Sequence, residues 1–129
     1  RERLRSLMWE DAGLVRSEAS LLSAMQGLGA LREELGRAGC APGRVYNLAW
    51  MDTLSMESYL DTCDVIVRSA LERRESRGAH YRSDYPERDD DTYLCNLTVR
   101  RGESRPRRRD VRFTRMRPPG NHSRSLPLP

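Results

Sequence analysis

Apolar residues recur every three or four positions along most of the first 75 residues, which is the spacing of one face of an α-helix. Leu4, Leu7 and Met8 share such a face and predict a first helix over residues 2–11, ending near Gly13. A helix of this kind buries its apolar stripe against other elements, so partner helices are expected.

A second helix is predicted over residues 18–37, with Ser17 as its N-cap and Glu18 where the helix dipole favours an anion. Gly27 and Gly29 weaken this helix locally, and the close approach of a neighbouring helix would explain them. Its apolar stripe consists of Leu21, Leu22, Met25, Leu28, Leu31 and Leu35.

The third and longest helix is predicted over residues 45–74. Three helices with such stripes bury them by packing together, which predicts an antiparallel three-helix bundle. Trp9 and Trp50 are expected in the core or between helices, as is usual for large aromatic side chains. The apolar positions of the third helix are Leu48, Met51, Leu54, Leu60, Cys63, Ile66, Val67, Ala70 and Leu71.

The pattern changes after Gly78. Tyr93–Val99 and Asp110–Met116 are β-favouring and alternate in polarity, and the turn-like residues 101–106 lie between them. We therefore predict a small C-terminal β-hairpin packed on the bundle, because an isolated hairpin is only marginally stable in water.

The predicted fold class is therefore mainly α, an antiparallel three-helix bundle followed by a loop and a small β-hairpin. The bundle occupies residues 1–78, and the loop and hairpin extend the same domain over residues 79–116. Residues 117–129 contain four prolines and no apolar periodicity, which predicts a flexible tail.

Charge is divided unevenly along the chain. The 129 residues carry 23 basic and 19 acidic side chains, for a net charge of +4, and every basic one is Arg. Residues 1–96 hold 13 Arg and 17 acids, whereas residues 97–129 hold 10 Arg and two acids. The basic character therefore belongs to the last quarter of the chain. Because Lys is absent, Schiff-base chemistry and a side-chain amine base are excluded.

Cysteine spacing and hydropathy exclude several protein classes. Cys40, Cys63 and Cys95 form neither a zinc-binding pattern nor a disulfide scaffold, which is typical of a reducing compartment. No apolar run approaches the length of a membrane span, so membrane association is expected only through partner subunits. Without a nucleophile motif, phosphate-binding glycine loop or metal-spaced cluster, we predict no catalytic, cofactor-binding or metal residues.

The basic hairpin supports an alternative function, an Arg-rich binding module for nucleic acid or another acidic partner. Arg clusters bind phosphates by charge, and a β-ribbon can enter a groove. Phe113 is the only aromatic residue of the second predicted strand, and no recognition motif accompanies it, so a solvated or partner-facing hairpin is favoured. The basic residues are Arg100, Arg101, Arg105, Arg107, Arg108, Arg109 and Arg112.

Hydrogen-bonding side chains concentrate in Glu75–Asp90, where Gly78 and Pro86 forbid an uninterrupted helix. His80 could transfer protons there, but a bundle of this size offers little room for a catalytic pocket, so a structural role is favoured. Residues 89–91 are all Asp, and on an extended chain they point in alternate directions, so pairing with Arg82, Arg88 or a neighbouring surface is favoured over metal binding.

The same segment resembles a family signature. It reads ESRGAH-x-R-x-D-Y-P-x-R-D-D, which is similar to the signature near the C-terminus of succinate dehydrogenase and fumarate reductase flavoprotein subunits. Residues 4–16, LRSLMWEDAGLVR, resemble the opening of that family's C-terminal helical domain. Residues 28–35 resemble its second helix, and residues 47–48 and 64–78 its third. The likeness extends over roughly residues 3–100.

The resemblance implies a larger subunit that carries FAD and transfers hydride between the flavin and the C2–C3 bond of a dicarboxylate. It places the groups for this chemistry in other parts of the subunit, so this chain alone is expected to be inactive and to bind no cofactor. Its expected partners are the flavin-binding domain and an iron–sulfur subunit. Its expected setting is the electron-transport chain and tricarboxylic acid cycle, in the cytoplasm at the inner face of the cell membrane.

The resemblance also implies a role for the signature itself. It matches a motif at the junction between domains, so it is expected to fix the helical domain against the flavin domain. The residues assigned to this docking are Arg77, His80, Arg82, Asp84 and Arg88.

Overall fold

Three helices form the body of the molecule, which confirms the predicted fold class. The computed structural model describes residues 1–39 and 47–113. The predicted start of the third helix, residue 45, lies outside them, as does the predicted tail. The long helices are α1 (Glu2–Ala12), α2 (Glu18–Arg37) and α3 (Leu48–Glu72).

The helices begin where the sequence supplies a cap. The Ser17 hydroxyl accepts a hydrogen bond from the Ser20 amide at 3.1 Å, and the Ser20 hydroxyl accepts one from the Ser17 amide at 3.0 Å. This reciprocal pair satisfies two amides at the start of α2. At the start of α3, the Asn47 side chain accepts from the Trp50 amide at 3.0 Å.

Each helix runs antiparallel to the helix that precedes it in the sequence. Polar contacts between adjacent helices join rising residue numbers on one helix to falling numbers on the next. They are Arg3–Glu34 and Asp11–Ser23 between α1 and α2, Arg32–Asp61 between α2 and the middle of α3, and Glu18–Arg74 between α2 and the residues just after α3.

The core is narrow and contains several small residues, so the helices approach closely. A Cβ atom added at Gly27 would lie 2.6 Å from a methyl carbon of Leu7, which confirms the expected close approach at this glycine. At Gly29 nothing lies within 4 Å, so the same expectation is wrong there. The buried core residues are Leu4, Ala12, Leu21, Ala24, Leu28, Leu60, Val67 and Ala70.

Both tryptophans are exposed, and the expectation that they lie in the core is wrong. Trp9 exposes 72% of its surface and Trp50 exposes 43%. The buried core contains the small residues Ala12, Ala24 and Ala70 together with aliphatic side chains, and neither indole ring is part of it. Both rings therefore face away from the core of this domain.

A second set of elements accompanies the bundle. A short parallel pair joins β1 (Val15–Arg16) to β2 (Tyr81–Arg82), with Val15 opposite Tyr81. A single helical turn, α4 (Asp90–Tyr93), leads into β3 (Cys95–Thr98), which pairs antiparallel with β4 (Arg107–Asp110). The β1–β2 pair and α4 were not predicted, since neither has a periodic sequence pattern.

The hairpin is confirmed, but its second strand was placed too late. The predicted strand Asp110–Met116 is wrong, because β4 spans Arg107–Asp110 and residues 111–113 form no strand. Residues 114–116 lie outside the described residues. A tight turn between the two strands sets which residues of β3 and β4 pair. In this turn the Glu103 amide donates to the Arg100 carbonyl at 3.1 Å, and Gly102 adopts a φ of +84°.

No helix in residues 1–39 and 47–113 is long and apolar enough to cross a membrane. Within the same residues, no group of three or more His, Cys, Asp or Glu side chains is placed to hold a metal ion.

Candidate functional site

The signature segment folds back onto the end of the bundle. It starts as α3 ends and reverses in a tight turn, in which Arg77 and His80 exchange backbone hydrogen bonds of 2.8 and 3.0 Å. Gly78 adopts a φ of +58° in this turn, a conformation that glycine takes without steric cost. The turn brings the side chains of the signature against the last residues of α3.

A buried carboxylate organises the first half of the segment. Glu75 has no exposed surface. It accepts hydrogen bonds from Arg77 Nε at 2.8 Å, Arg77 Nη2 at 3.0 Å and the Asp89 amide at 2.8 Å, and another from Arg73. Burial alone would raise the pKa of Glu75, but the bonds from Arg77, Asp89 and Arg73 outweigh it and hold the pKa below its usual range. Glu75 is therefore an anion bound between two guanidinium groups.

A buried guanidinium organises the second half. Arg82 has no exposed surface, and its Nε and Nη2 donate to the two carboxylate oxygens of Asp84 at 2.7 and 2.6 Å. Its Nη1 donates to the Ala70 carbonyl at 2.9 Å in the last turn of α3. Asp84 also accepts from the Glu18 amide at 2.9 Å, so the pKa of Asp84 is lowered, chiefly by Arg82. This pair connects the start of α2 to the end of α3.

His80 lies between two distant parts of the chain. Its Nε2 is 3.1 Å from the Arg73 carbonyl, which can only accept, so Nε2 carries the proton. Its Nδ1 therefore accepts from Arg16 Nη1 at 3.0 Å. Burial lowers the pKa of His80, and the charges of Arg16, Arg82 and Arg73 lower it further. The imidazole is thus neutral and acts as a structural bridge.

The acidic run closes the segment. Asp89 accepts from the Thr92 amide at 2.9 Å and caps α4. Asp90 pairs with Arg77 and also with Arg88, whose Nε lies 2.7 Å away. The expected pairing of the acidic run with Arg88 is confirmed. Arg82, the other expected partner, binds Asp84 instead.

The structure brings all five assigned docking residues into internal contacts of this domain. Arg77, His80, Arg82 and Asp84 bind groups of the segment or the bundle, and Arg88 binds Asp90 while exposing about half of its side chain. Sequence reasoning missed Glu75, Arg73 and Arg16 as members of the network. Glu75 lies inside the quoted signature, but Arg16 is 64 residues from His80 and no sequence signal connects them.

Four large apolar side chains on the elements that adjoin this network are exposed. We call them the Trp9 patch, and they are Trp9, Leu14, Val15 and Tyr81, whose exposed fractions run from 44% to 72%. Trp9 is in the last turn of α1, and Val15 and Tyr81 are strand partners in β1 and β2. Adjacent apolar residues that are exposed, as Val15 and Tyr81 are, mark contact with another protein surface.

The geometry of the signature segment supports a structural role rather than a catalytic one. The ionisable groups of the segment described above are paired with each other or with backbone groups. An open cleft of about 330 Å³ borders them, but the two guanidinium groups that line it, Arg73 and Arg77, already bind Glu75. The arrangement can fix the end of the bundle and shape its surface.

Comparisons with known proteins agree with the sequence resemblance. A family model described as the fumarate reductase flavoprotein C-terminus matches residues 1–124. A fumarate reductase (CoM/CoB) polypeptide of Methanothermobacter marburgensis is 41% identical over 87 residues, covering 67% of this chain and 16% of that protein. The Haemophilus influenzae fumarate reductase flavoprotein subunit is 38% identical over 95 residues, covering 73% of this chain and 16% of the relative.

A solved structure gives the same result. A variant of the E. coli quinol fumarate reductase protein FrdA superposes with a TM-score of 0.82 and 26% sequence identity, over 92% of this chain and 21% of that one. The chain therefore spans about one fifth of the length of that structure and 16% of the two curated relatives.

Proposed function

Because this chain belongs to the fumarate reductase flavoprotein C-terminal family, we propose that it is the helical domain of an FAD-dependent flavoprotein subunit of a succinate dehydrogenase or fumarate reductase. In this proposal the domain braces the flavin domain and contacts the iron–sulfur subunit, but it has no catalytic centre of its own. The observation that carries the bracing role is the Trp9 patch, because its exposed members Val15 and Tyr81 lie in the β1–β2 pair, which the polar network of the signature segment holds through Arg16 and Arg82.

The polar network makes the end of the bundle a rigid platform. Arg82 and Asp84 connect α2 to α3, and His80 connects the β1 segment to the α3 end. A surface that is ordered before contact loses little conformational entropy when another domain covers it. The network therefore suits a domain that positions another one.

The start of α2 does not fit the pyrophosphate of a flavin nucleotide. A pyrophosphate is typically bound by free amides at a helix N-terminus behind a glycine-rich turn. At the start of α2, the Ser20 amide is bound by the Ser17 hydroxyl and the Glu18 amide by the Asp84 carboxylate. An anion of the protein already occupies this terminus. The FAD of the proposed subunit would therefore be held by its other domains.

The docking role of Arg77, His80, Arg82, Asp84 and Arg88 stays a prediction. Arg82 is buried, so it would act by holding β2 and Tyr81 in place rather than by touching the flavin domain. Arg88 has the most exposed side chain of the five, which supports the proposal that it contacts the flavin domain. Membrane association at the inner face of the cell membrane is proposed only through partner subunits.

A chimera tests the proposal. The 129-residue chain would replace the corresponding C-terminal region of the Haemophilus influenzae flavoprotein subunit, which it matches at 38% identity. We expect the chimera to retain FAD absorbance and fumarate reduction. Trp9→Glu should lower both, because it places a charge in the proposed interface, whereas the melting temperature of the isolated domain should not change at this exposed site.

The matched control is Trp50→Glu, at the far end of the bundle. Trp50 lies in the first turn of α3, near the α1 start that pairs with Asp52, and it is also exposed. It should leave flavin content unchanged. Equal losses in the two variants would contradict an interface at the Trp9 patch. Succinate oxidation by the 129-residue chain with added FAD would contradict the absence of a catalytic centre.

A further inference from the structure

The β3–β4 hairpin has two faces of different character. The cross-strand partners Leu97 and Arg108 share the inner face, where Arg108 pairs with Glu72 at 3.1 Å and lies 4.5 Å from the centre of the Tyr93 ring. These contacts hold the hairpin on the bundle. Side chains alternate along a strand, so the outer face carries the pairs Thr98–Arg107 and Asn96–Arg109.

The positive charge of the hairpin is only partly neutralised. Residues 95–113 contain seven Arg and two acids. Arg107 pairs with Glu103 at 2.7 Å, Arg108 pairs with Glu72, and Arg101 approaches Asp61 only to 4.0 Å. The other four have no carboxylate within 4.0 Å in the described parts of the chain. They are Arg100, Arg105, Arg109 and Arg112.

One edge of the hairpin is covered and the other is open. On the β3 side, the carbonyls of Tyr93 and Cys95 accept from Arg73 at 2.9 and 2.7 Å. On the far side of β4, no strand pairs with Arg107–Asp110 in residues 1–39 and 47–113, and all four residues are exposed. An open edge presents unpaired backbone amides and carbonyls to solvent.

We propose that the outer face and open edge of β4 bind an acidic polypeptide segment in extended conformation. Such a segment would add a strand beside β4, and acidic residues at every second position would face Arg107 and Arg109, whose guanidinium groups suit carboxylates. This role goes beyond the bracing function and does not depend on it.

The chemistry of this surface favours a polypeptide over nucleic acid. Single strands are held largely by aromatic stacking, but Tyr93, whose ring contacts the hairpin, is buried under Arg73 and Arg108, and Phe113 after β4 is half-buried. A duplex is bound by charge alone at such a surface, without use of the open edge. Charged side chains also protect edge strands from association, so that protective role is the competing explanation.

Fluorescence anisotropy tests the proposal with a labelled eight-residue peptide of alternating Thr and Glu and the 129-residue chain. We expect saturable binding that weakens as salt rises from about 0.05 to about 0.5 M, because screening shortens the reach of the charges. Arg107→Gln with Arg109→Gln should weaken binding about tenfold, since two charge-assisted contacts are lost.

The matched control is Arg5→Gln with Arg37→Gln, which removes the same charge from the helices. Arg37 pairs with Glu33 at i,i+4 as Arg107 pairs with Glu103, so each double variant breaks one i,i+4 ion pair, although Glu103 is more buried than Glu33. It should change binding less than twofold if the site is local, because Arg5 and Arg37 belong to α1 and α2 and not to the hairpin. The same peptide with every backbone amide N-methylated should bind more weakly, because it has no N–H group to donate to the edge.

Four results would overturn the proposal. Absence of peptide binding would leave edge protection as the role of these Arg residues. Equal losses in the two double variants would mean that net charge alone drives binding. Undiminished binding of the methylated peptide would exclude strand addition. Tighter binding of a random DNA duplex than of the peptide, at equal salt, would assign the surface to nucleic acid instead.

Discussion

Replacing Glu75 with Ala should destabilise the domain more than any other single loss of a carboxylate in the signature segment. The substitution removes an anion with no exposed surface that accepts four hydrogen bonds, three of them from guanidinium groups. Arg73, Arg77 and the Asp89 amide would then lose their shared acceptor.

The magnitude follows from what remains buried. Removing one partner of a buried ion pair typically costs about 3–5 kcal/mol, because the other charge stays desolvated and unpaired. The side chains of Arg73 and Arg77 are 15% and 27% exposed, so water can reach them and relieve part of this cost. We therefore expect the lower end, about 3 kcal/mol, which is a large part of the 5–15 kcal/mol typical of a folded domain.

Thermal unfolding followed by circular dichroism measures this loss. A cost of about 3 kcal/mol corresponds to a fall in Tm of roughly 10–20 °C for a domain of this size. The control is Glu34→Ala, which breaks a two-bond pair with Arg3 in which both side chains are at least half exposed. That loss should be under about 1 kcal/mol. If Glu75→Ala lowers Tm no more than Glu34→Ala does, the buried network does not stabilise the fold.

Three further outcomes test other parts of the structure. Gly29→Ala should raise the free energy of unfolding by up to about 1 kcal/mol, because open space surrounds this helical position, whereas Gly78→Ala should lower it by about 1–2 kcal/mol because φ is +58°. Opposite shifts in Tm would confirm both. His80 has a lowered pKa in the fold, so the unfolded chain binds this proton first and stability should fall as pH drops below about 6.5. His80→Gln should flatten that part of the curve of stability against pH, and a curve that keeps its slope would contradict the assignment. Glu75 has a lowered pKa in the fold, so its contribution to the free energy of unfolding is lost as pH falls below about 4.5 and through the folded-state pKa. The free energy of unfolding of Glu75→Gln should therefore fall less over this acid range than that of the unsubstituted chain.

Local signals in the sequence were enough to place the bundle. The three helices follow apolar positions spaced for one helical face, and Ser17 caps α2 through bonds that span only three residues. The family resemblance rested on the signature segment and the segment around Trp9, and the match over residues 1–124 confirmed it. These features need no knowledge of distant contacts.

Other features depended on contacts that no periodicity reports. The position of β4 follows the tight turn at residues 100–103 and the anchoring of Arg108 on Glu72 and Tyr93, so the alternating pattern after Asp110 misplaced the strand. Trp9 was expected in the core because large aromatic residues usually are, but the core consists of aliphatic and alanine side chains and the ring lies outside it.

The sequence alone determined the helical domain and its family, because helix periodicity, capping and a long motif are encoded by residues close together in the chain. Only the tertiary structure decided what the signature segment does within the domain. Burial of Glu75 and Arg82 arises when the α3 end, the β1 segment and α4 meet, and burial is what turns a surface charge into a partner that the fold must satisfy. Because of this burial, the Arg, His and Asp side chains of the signature segment form a structural network.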